Sequence, residues 1–136
     1  MAQSIDIDLV DAARARLRRV TPAEARDALA GGGVILDTRT YEQRHEHGVI
    51  PGAIVMSRNI VEWRVDPTSG WEDPEVGSRD GPVIVMCQEG YASSLAAATL
   101  VDLGIDDATD MIGGFEAWKA AGLPVAEAGE TPPAPF

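Results

Sequence analysis

One residue of the chain has both the chemistry of a nucleophile and a setting that can activate it: Cys87, its lone cysteine. Cys87 closes the apolar run Val83-Ile84-Val85-Met86 and is followed by Gln88-Glu89-Gly90-Tyr91-Ala92-Ser93-Ser94-Leu95. The pattern predicts a buried strand ending at Cys87, a short loop with one glycine, and a helix beginning near Ser93. In parallel α/β sheets, ligands bind beyond the carboxyl ends of the strands. A loop wrapped back over the sulfur aims several backbone N–H groups at it, and the start of the next helix adds partial positive charge. Both effects favour the thiolate, which is the nucleophilic form. Spacing alone fits a plainer role equally well, that of a small buried hydrophobe at a strand end.

The elements that must hold this loop alternate between strand and helix. Thr21-Pro22-Ala23-Glu24 is a capping box with proline at the first helical position, and its helix runs to about Ala30 before Gly31-Gly32-Gly33. Val34-Ile35-Leu36, closed by Asp37, has the continuous apolar character of a buried parallel strand. Thr40 can cap a short polar helix over Tyr41–His47 that ends at Gly48, and Ala53–Met56 is a second strand candidate. Arg58–Val65 has helical spacing, with Ile60, Val61 and Trp63 on the inner side. Asp66–Gly81 reads as a loop with at most one helical turn. Pro82–Met86 is the strongest strand signal and Ser93–Leu103, stopped by Gly104, the strongest helix signal. Ala108–Ile112 predicts a further strand and Phe115–Ala121 a short helix ended by Gly122.

Upstream, Leu9, Ala12, Ala13, Leu17 and Val20 line one face of a helix expected over Asp8–Val20. Arg14, Arg16, Arg18 and Arg19 read most simply as its solvated face. The expected class is α/β, a small and mostly parallel sheet flanked by helices on both sides. The expected partition is a helical extension over residues 1–19, one domain over 20–126, and a flexible Pro-rich tail over 127–136.

Composition narrows the functional classes. At 136 residues the chain fits one domain, and 45% apolar with 24% charged residues is ordinary for a globular protein. A net charge of −11, with Lys119 the single lysine, argues against a nucleic-acid face, because phosphate binding needs clustered cations. One cysteine forms no internal disulfide, so nothing implies an oxidising compartment. Met1–Val10 has neither the basic nor the apolar region of a signal peptide, and no apolar stretch nears the roughly 18 residues of a membrane span. A cytoplasmic protein is expected, with no membrane partner. His45 and His47, at i and i+2, do not share a helix face, and no Cys or third His accompanies them. No metal or cofactor is implied.

Four segments, met in order, resemble the single-domain form of the rhodanese family. Leu36-Asp37-Thr38-Arg39 is similar to its first strand and Asp-x-Arg turn, and Gly48-Val49-Ile50-Pro51-Gly52-Ala53 to its Gly-His-Ile-Pro-Gly-Ala segment. Cys87–Ser93 is similar to its active-site loop, and Gly113-Gly114-Phe115-Glu116-Ala117-Trp118 to its Gly-Gly-x-x-x-Trp segment. The resemblance spans about residues 20 to 126. It implies a rhodanese-like fold and a sulfurtransferase that carries sulfane sulfur on Cys87 as a persulfide. The partners implied are a small sulfur donor and a thiol or cyanide-like acceptor, with a protein sulfur acceptor as a further candidate. Within the segments, Asp37 is expected to accept from backbone amides at the sheet edge and Arg39 to pair with it or with another carboxylate. Pro51-Gly52 is expected to form a turn, and Trp118 to anchor the core.

The chain departs from the family where a donor binds. The usual loop is Cys-Arg-x-Gly-x-Arg-Ser; this one is Cys-Gln-Glu-Gly-Tyr-Ala-Ser. Gln88 and Ala92 replace the arginines that help bind an anionic donor such as thiosulfate, Glu89 adds a carboxylate, and Val49 replaces a histidine. Loop amides and the helix end, which support the persulfide, do not depend on those side chains. The expected site is therefore Cys87 as nucleophile, with Gln88, Glu89, Gly90, Tyr91, Ala92 and Ser93 forming the cradle. Arg58, just after the second strand candidate, is the expected replacement cation, and Arg64 the second choice; for each, the competing reading is a surface salt bridge. Tyr91 can close the pocket or merely shield the loop. The competing function is a regulatory rhodanese module that binds a protein partner without turnover. A cysteine phosphatase or arsenate reductase needs an arginine at the place of Ser93, to clamp an oxyanion bidentately.

Overall fold

Strands buried on both faces need a helical layer on each side, and the apolar runs of this chain are arranged to provide it. The computed structural model describes residues 9–129. Four strands, β1 (Val34–Asp37), β2 (Ile54–Val55), β3 (Val83–Met86) and β4 (Ala108–Asp110), pair in parallel in the order β2-β1-β3-β4. The connecting helices are α1 (Asp11–Arg14), α2 (Pro22–Ala30), α3 (Tyr41–His47), α4 (Val61–Val65), α5 (Pro74–Gly77), α6 (Ala92–Asp102) and α7 (Gly114–Ala120).

The two-residue period of the strands divides the core. Val34, Leu36, Val83 and Val85 face Val61 and Val65 of α4, Val76 of α5, and Ala96, Ala97 and Leu100 of α6. Ile35, Ile84 and Met86 face Ala25 of α2, and Phe115 and Trp118 of α7. Trp118 is 2% exposed and donates from Nε1 to the Pro124 carbonyl at 2.8 Å, the anchor expected of it. This is the expected α/β sandwich of helices around a parallel sheet. The C-terminal ends of the two central strands, β1 and β3, form the edge that positions the site.

Local signals were realised closely. The Thr21 hydroxyl accepts from the Glu24 amide at 3.2 Å, and the Glu24 carboxylate accepts from the Thr21 amide at 2.9 Å. Thr40 caps α3 in the same way, with Gln43 as the returning partner. Asp66–Gly81 holds one helical turn, α5. Pro51-Gly52 forms the expected turn.

Two expectations are corrected. The helix over Arg58–Val65 begins as a 3-10 turn, Arg58–Ile60, before α4. Val61 and Val65, one turn apart, face the core and Ile60 packs against it as expected, while Trp63 lies between them in phase and is 56% exposed. Second, α1 accounts for only part of the helix expected over Asp8–Val20, and Asp8 lies outside the described residues. From Val20 the backbone joins the sheet instead: its amide donates to the Asp110 carbonyl at 3.0 Å and its carbonyl accepts from Ile112 at 2.8 Å. Sheet pairing demands extended backbone, so the helix cannot reach Val20. The arginines accordingly form no common solvated face. Arg16 turns to Asp102 and the Ala98 carbonyl, and Arg19 to the buried Asp110. Of the tail expected over 127–136, residues 130–136 lie outside the described residues. Among the described residues no helix is long and apolar enough to cross a membrane.

Candidate active site

Strand β3 delivers Cys87 to the C-terminal edge of the sheet, where its side chain is nearly buried at 8% exposure. The chain then turns back over the sulfur. Sγ accepts from the Gly90 amide at 3.2 Å and from the Ser93 amide at 3.3 Å. Ser93 lies in the first turn of α6, where backbone N–H groups have no intrahelical partner. The N-cap residue, Tyr91, supplies no side-chain cap, so the cysteine sulfur serves as one. Two N–H dipoles and a helix start therefore converge on the cysteine sulfur.

Glycines make this loop possible through close backbone approach. Gly90 has φ +86°, and a Cβ there would lie 2.9 Å from the Gly113 amide nitrogen. At Gly114, φ +60°, a Cβ would lie 2.5 Å from the Cys87 carbonyl oxygen and 2.7 Å from the Gly90 nitrogen. The Gly113-Gly114 turn thus lies directly against the cysteine loop. Phe115 N–H donates to the Cys87 carbonyl at 2.9 Å, and Glu116 N–H to the Gln88 carbonyl at 3.0 Å. The two loops are one unit, and Trp118 fastens it to the core.

The Asp-x-Arg turn braces the other side. Arg39 pairs bidentately with Asp37, Nε to Oδ1 at 3.0 Å and Nη2 to Oδ2 at 2.8 Å, and both side chains are essentially buried. Asp37 also accepts from the Arg39 amide at 3.1 Å, as the motif implied. The guanidinium donates further to the Gly48 carbonyl at 2.8 Å and to Gln88 Oε1 at 3.1 Å, with Phe115 stacked 4.0 Å away. Gln88 in turn donates to Glu116 at 2.6 Å. Arg39 lines the mouth, but its guanidinium is held in place by Asp37, Gly48 and Gln88.

An open depression of about 320 Å³ lies over Cys87. Its wall includes Gln88, Glu89, Tyr91 and Ala92 from the loop, Thr38, Arg39, Thr40 and Gln43 from the segment after β1, and Arg58. Of the residues expected at the site, Cys87, Gln88, Glu89, Tyr91, Ala92 and Arg58 share this wall. Gly90 and Ser93 stand behind the sulfur and contribute N–H groups. Arg58 also donates to both Glu62 oxygens, at 3.0 and 2.9 Å, a half-exposed i,i+4 pair. Arg64, the second choice, borders a separate cleft with Ile60, Trp63 and Trp71, and donates to the Trp71 carbonyl and to Asp73. Tyr91 is half exposed, with the Arg14 guanidinium 5.0 Å from its ring centroid.

Sequence reasoning missed a second group behind the loop. Asp110, at 0% exposure, accepts from Arg19 Nε at 2.8 Å and Nη2 at 3.2 Å, from Ser93 Oγ at 2.8 Å and from Ser94 Oγ at 2.7 Å. One signal pointed to it: an acid inside the apolar run Ala108–Ile112 requires a buried partner.

The family described as Rhodanese-like domain matches residues 21–121. The thiosulfate sulfurtransferase GlpE of Actinobacillus succinogenes is 35% identical over 107 residues, covering 78% of this chain and 87% of that protein. A protein of unknown function from Rhodopseudomonas palustris, described as a possible tyrosine phosphatase, superposes with TM-score 0.81 at 30% identity, covering 93% of this chain and 96% of that one. The human single-domain sulfurtransferase TSTD1 shares the fold, with TM-score 0.61 at 23% identity over 75% of this chain and 95% of that one.

Proposed function

The chain belongs to the rhodanese-like domain family, and from that premise we propose that it is a sulfurtransferase working through a persulfide on Cys87. One observation carries the reading: the Gly90 and Ser93 amides both point at Sγ, where negative charge must rest in the thiolate and the persulfide. In the first step the Cys87 thiolate attacks the sulfane sulfur of a donor. A bond forms from Sγ to that sulfur as the donor's own bond to it breaks, and the electron pair leaves with the departing sulfite or thiolate. In the second step a thiol or cyanide-like acceptor attacks the outer sulfur, and Sγ leaves as the thiolate. A protein thiol is a further candidate acceptor. Neither step needs a metal or a redox cofactor, because every electron pair stays accounted for among the sulfur atoms. A thiol that must stay reduced between turnovers suits the cytoplasm, where we place the reaction.

The activity named for the Actinobacillus protein is carried over as a class of chemistry, without its donor. Among the wall residues the side chains at 88 and 92 bring no cation, and Glu89 brings a negative charge. We therefore expect a thiol persulfide to load Cys87 faster than thiosulfate does. A phosphatase reading is disfavoured, since Ser93 stands where an oxyanion-clamping arginine is required. Intact mass after incubation with thiosulfate, a thiol persulfide or mercaptopyruvate tests the proposal. A gain of one sulfur atom that a thiol removes supports it. No gain with any donor leaves the alternative, a non-catalytic module that binds a protein partner, for which the acidic Glu89 in the loop speaks.

Arg58 is the proposed contact for an anionic donor, being the wall cation not committed to buried structure. A desolvated sulfite group without a partner is strongly disfavoured, so Arg58 must exchange Glu62 for the donor. Exposed i,i+4 pairs contribute only about 0.3–0.5 kcal/mol, so the exchange costs little. Arg58→Ala is expected to lower thiosulfate turnover about tenfold, the loss of one charge-assisted hydrogen bond, with little change in thermal stability. Equal losses with neutral and anionic donors would assign Arg58 to packing instead.

A further inference from the structure

We propose that Arg14 and Arg19 are positioning residues for sulfur transfer, clamping the Gly90 carbonyl so that the Gly90 and Ser93 amides stay aimed at Cys87. The inference rests on the sulfurtransferase reading of the site. It adds to that site two residues outside the family match, which begins at residue 21.

The Gly90 carbonyl accepts from two guanidinium groups, Arg14 Nη2 at 2.7 Å and Arg19 Nη2 at 3.1 Å. Gly90 is the residue at which the chain turns between the two sulfur-facing amides, and it has no Cβ to restrict that turn. Two cations on its carbonyl supply the missing restriction. The clamp is itself held. Arg19 is locked bidentately on Asp110, whose carboxylate also takes the Ser93 and Ser94 hydroxyls and so fixes the start of α6. Arg14 donates from Nε to Ser94 Oγ at 3.1 Å and lies over the Tyr91 ring.

The two arginines differ in charge balance. Asp110 neutralises Arg19, whereas among the described residues no carboxylate pairs with Arg14. Arg14 thus brings net positive charge to a loop whose own Gln88 and Ala92 bring none. That charge favours an anionic sulfur over a neutral one.

Arg14→Gln is the decisive variant, since Arg19→Gln would strand the buried Asp110 and risk unfolding. Two rates are measured, alkylation of Cys87 by iodoacetamide and loading from a thiol persulfide. Arg14→Gln should slow both at neutral pH roughly tenfold. Arg14→Lys should recover most of both rates. Arg16→Gln, which cuts the same segment's contacts to Asp102 and Ala98 but none to Gly90, should leave both rates unchanged. The proposal is overturned if Arg14→Gln reacts as the wild type does, or if Arg16→Gln matches its losses, because the segment then merely docks. Alkylation needs no sulfur donor. A wild-type protein that alkylates readily yet never loads sulfur would sink the sulfurtransferase reading and leave the clamp tested separately.

Discussion

Cys87→Ser should lose sulfur transfer to background with every donor and should gain no mass on incubation. The exchange changes one atom. A serine oxygen can accept from the Gly90 and Ser93 amides much as Sγ does, so the loop and the cap of α6 should survive. What disappears is the nucleophile, since a serine hydroxyl without an adjacent base does not attack as a thiolate does. Among the residues of the depression no histidine is present to act as that base. The variant should therefore unfold within a few degrees of the wild type while being inert. The comparison needs both measurements. Residual transfer in a folded serine variant would move the chemistry away from Cys87, and loss of folding would reassign the residue to packing, its role as a buried hydrophobe at a strand end.

The second large effect is a gain. Gln88→Arg with Ala92→Arg should raise thiosulfate turnover about ten- to a hundredfold, because each charge-assisted hydrogen bond to the anion contributes roughly 1.5–3 kcal/mol. The geometry makes the two positions unequal. Gln88 already bridges Arg39 and Glu116, so an arginine there meets a like charge on one side and a competing carboxylate on the other. Ala92 is exposed on the wall of the depression at the start of α6 and has no such commitments. Most of the gain should come from Ala92→Arg alone. Steady-state turnover of both single variants and the double variant, with thiosulfate and with a thiol persulfide, decides the matter. If the double variant is no faster than the wild type, loop charge is not what limits the reaction. If the gain extends equally to an uncharged donor, the new arginines act on the loop rather than on the substrate.

Much of the frame was legible because its signals are local. Continuous apolar runs marked β1 and β3, since a strand buried on both faces has no reason to alternate. Thr21 with Glu24, and Thr40 before α3, marked helix starts through bonds that span three residues. Cys87 at the end of an apolar strand, one glycine later and just before a helix, predicted the amide cradle that the structure places around Sγ. The register of Val61 and Val65 is also present in the sequence, but it holds only for α4 itself, where the phase of Trp63 sends it to solvent.

The sequence by itself thus determined the strand and helix order, the parallel sheet and the place of the lone cysteine at the end of β3. These follow from periodicity, capping and turn chemistry, which act over a few residues. Only the tertiary structure decided where the charges go. Arg14 and Arg19 reach Gly90 across 76 and 71 residues of chain, and Arg19 reaches Asp110 across 91. Read along the sequence, four closely spaced arginines make a solvated helix face. In the fold, a buried carboxylate at the end of β4 requires a partner, and Arg19 is held there because an unpaired charge in that place costs several kcal/mol, or about 3–5 when one partner of a buried pair is removed. Burial sets the demand for a charge partner, and burial exists only once strands distant in sequence have come together.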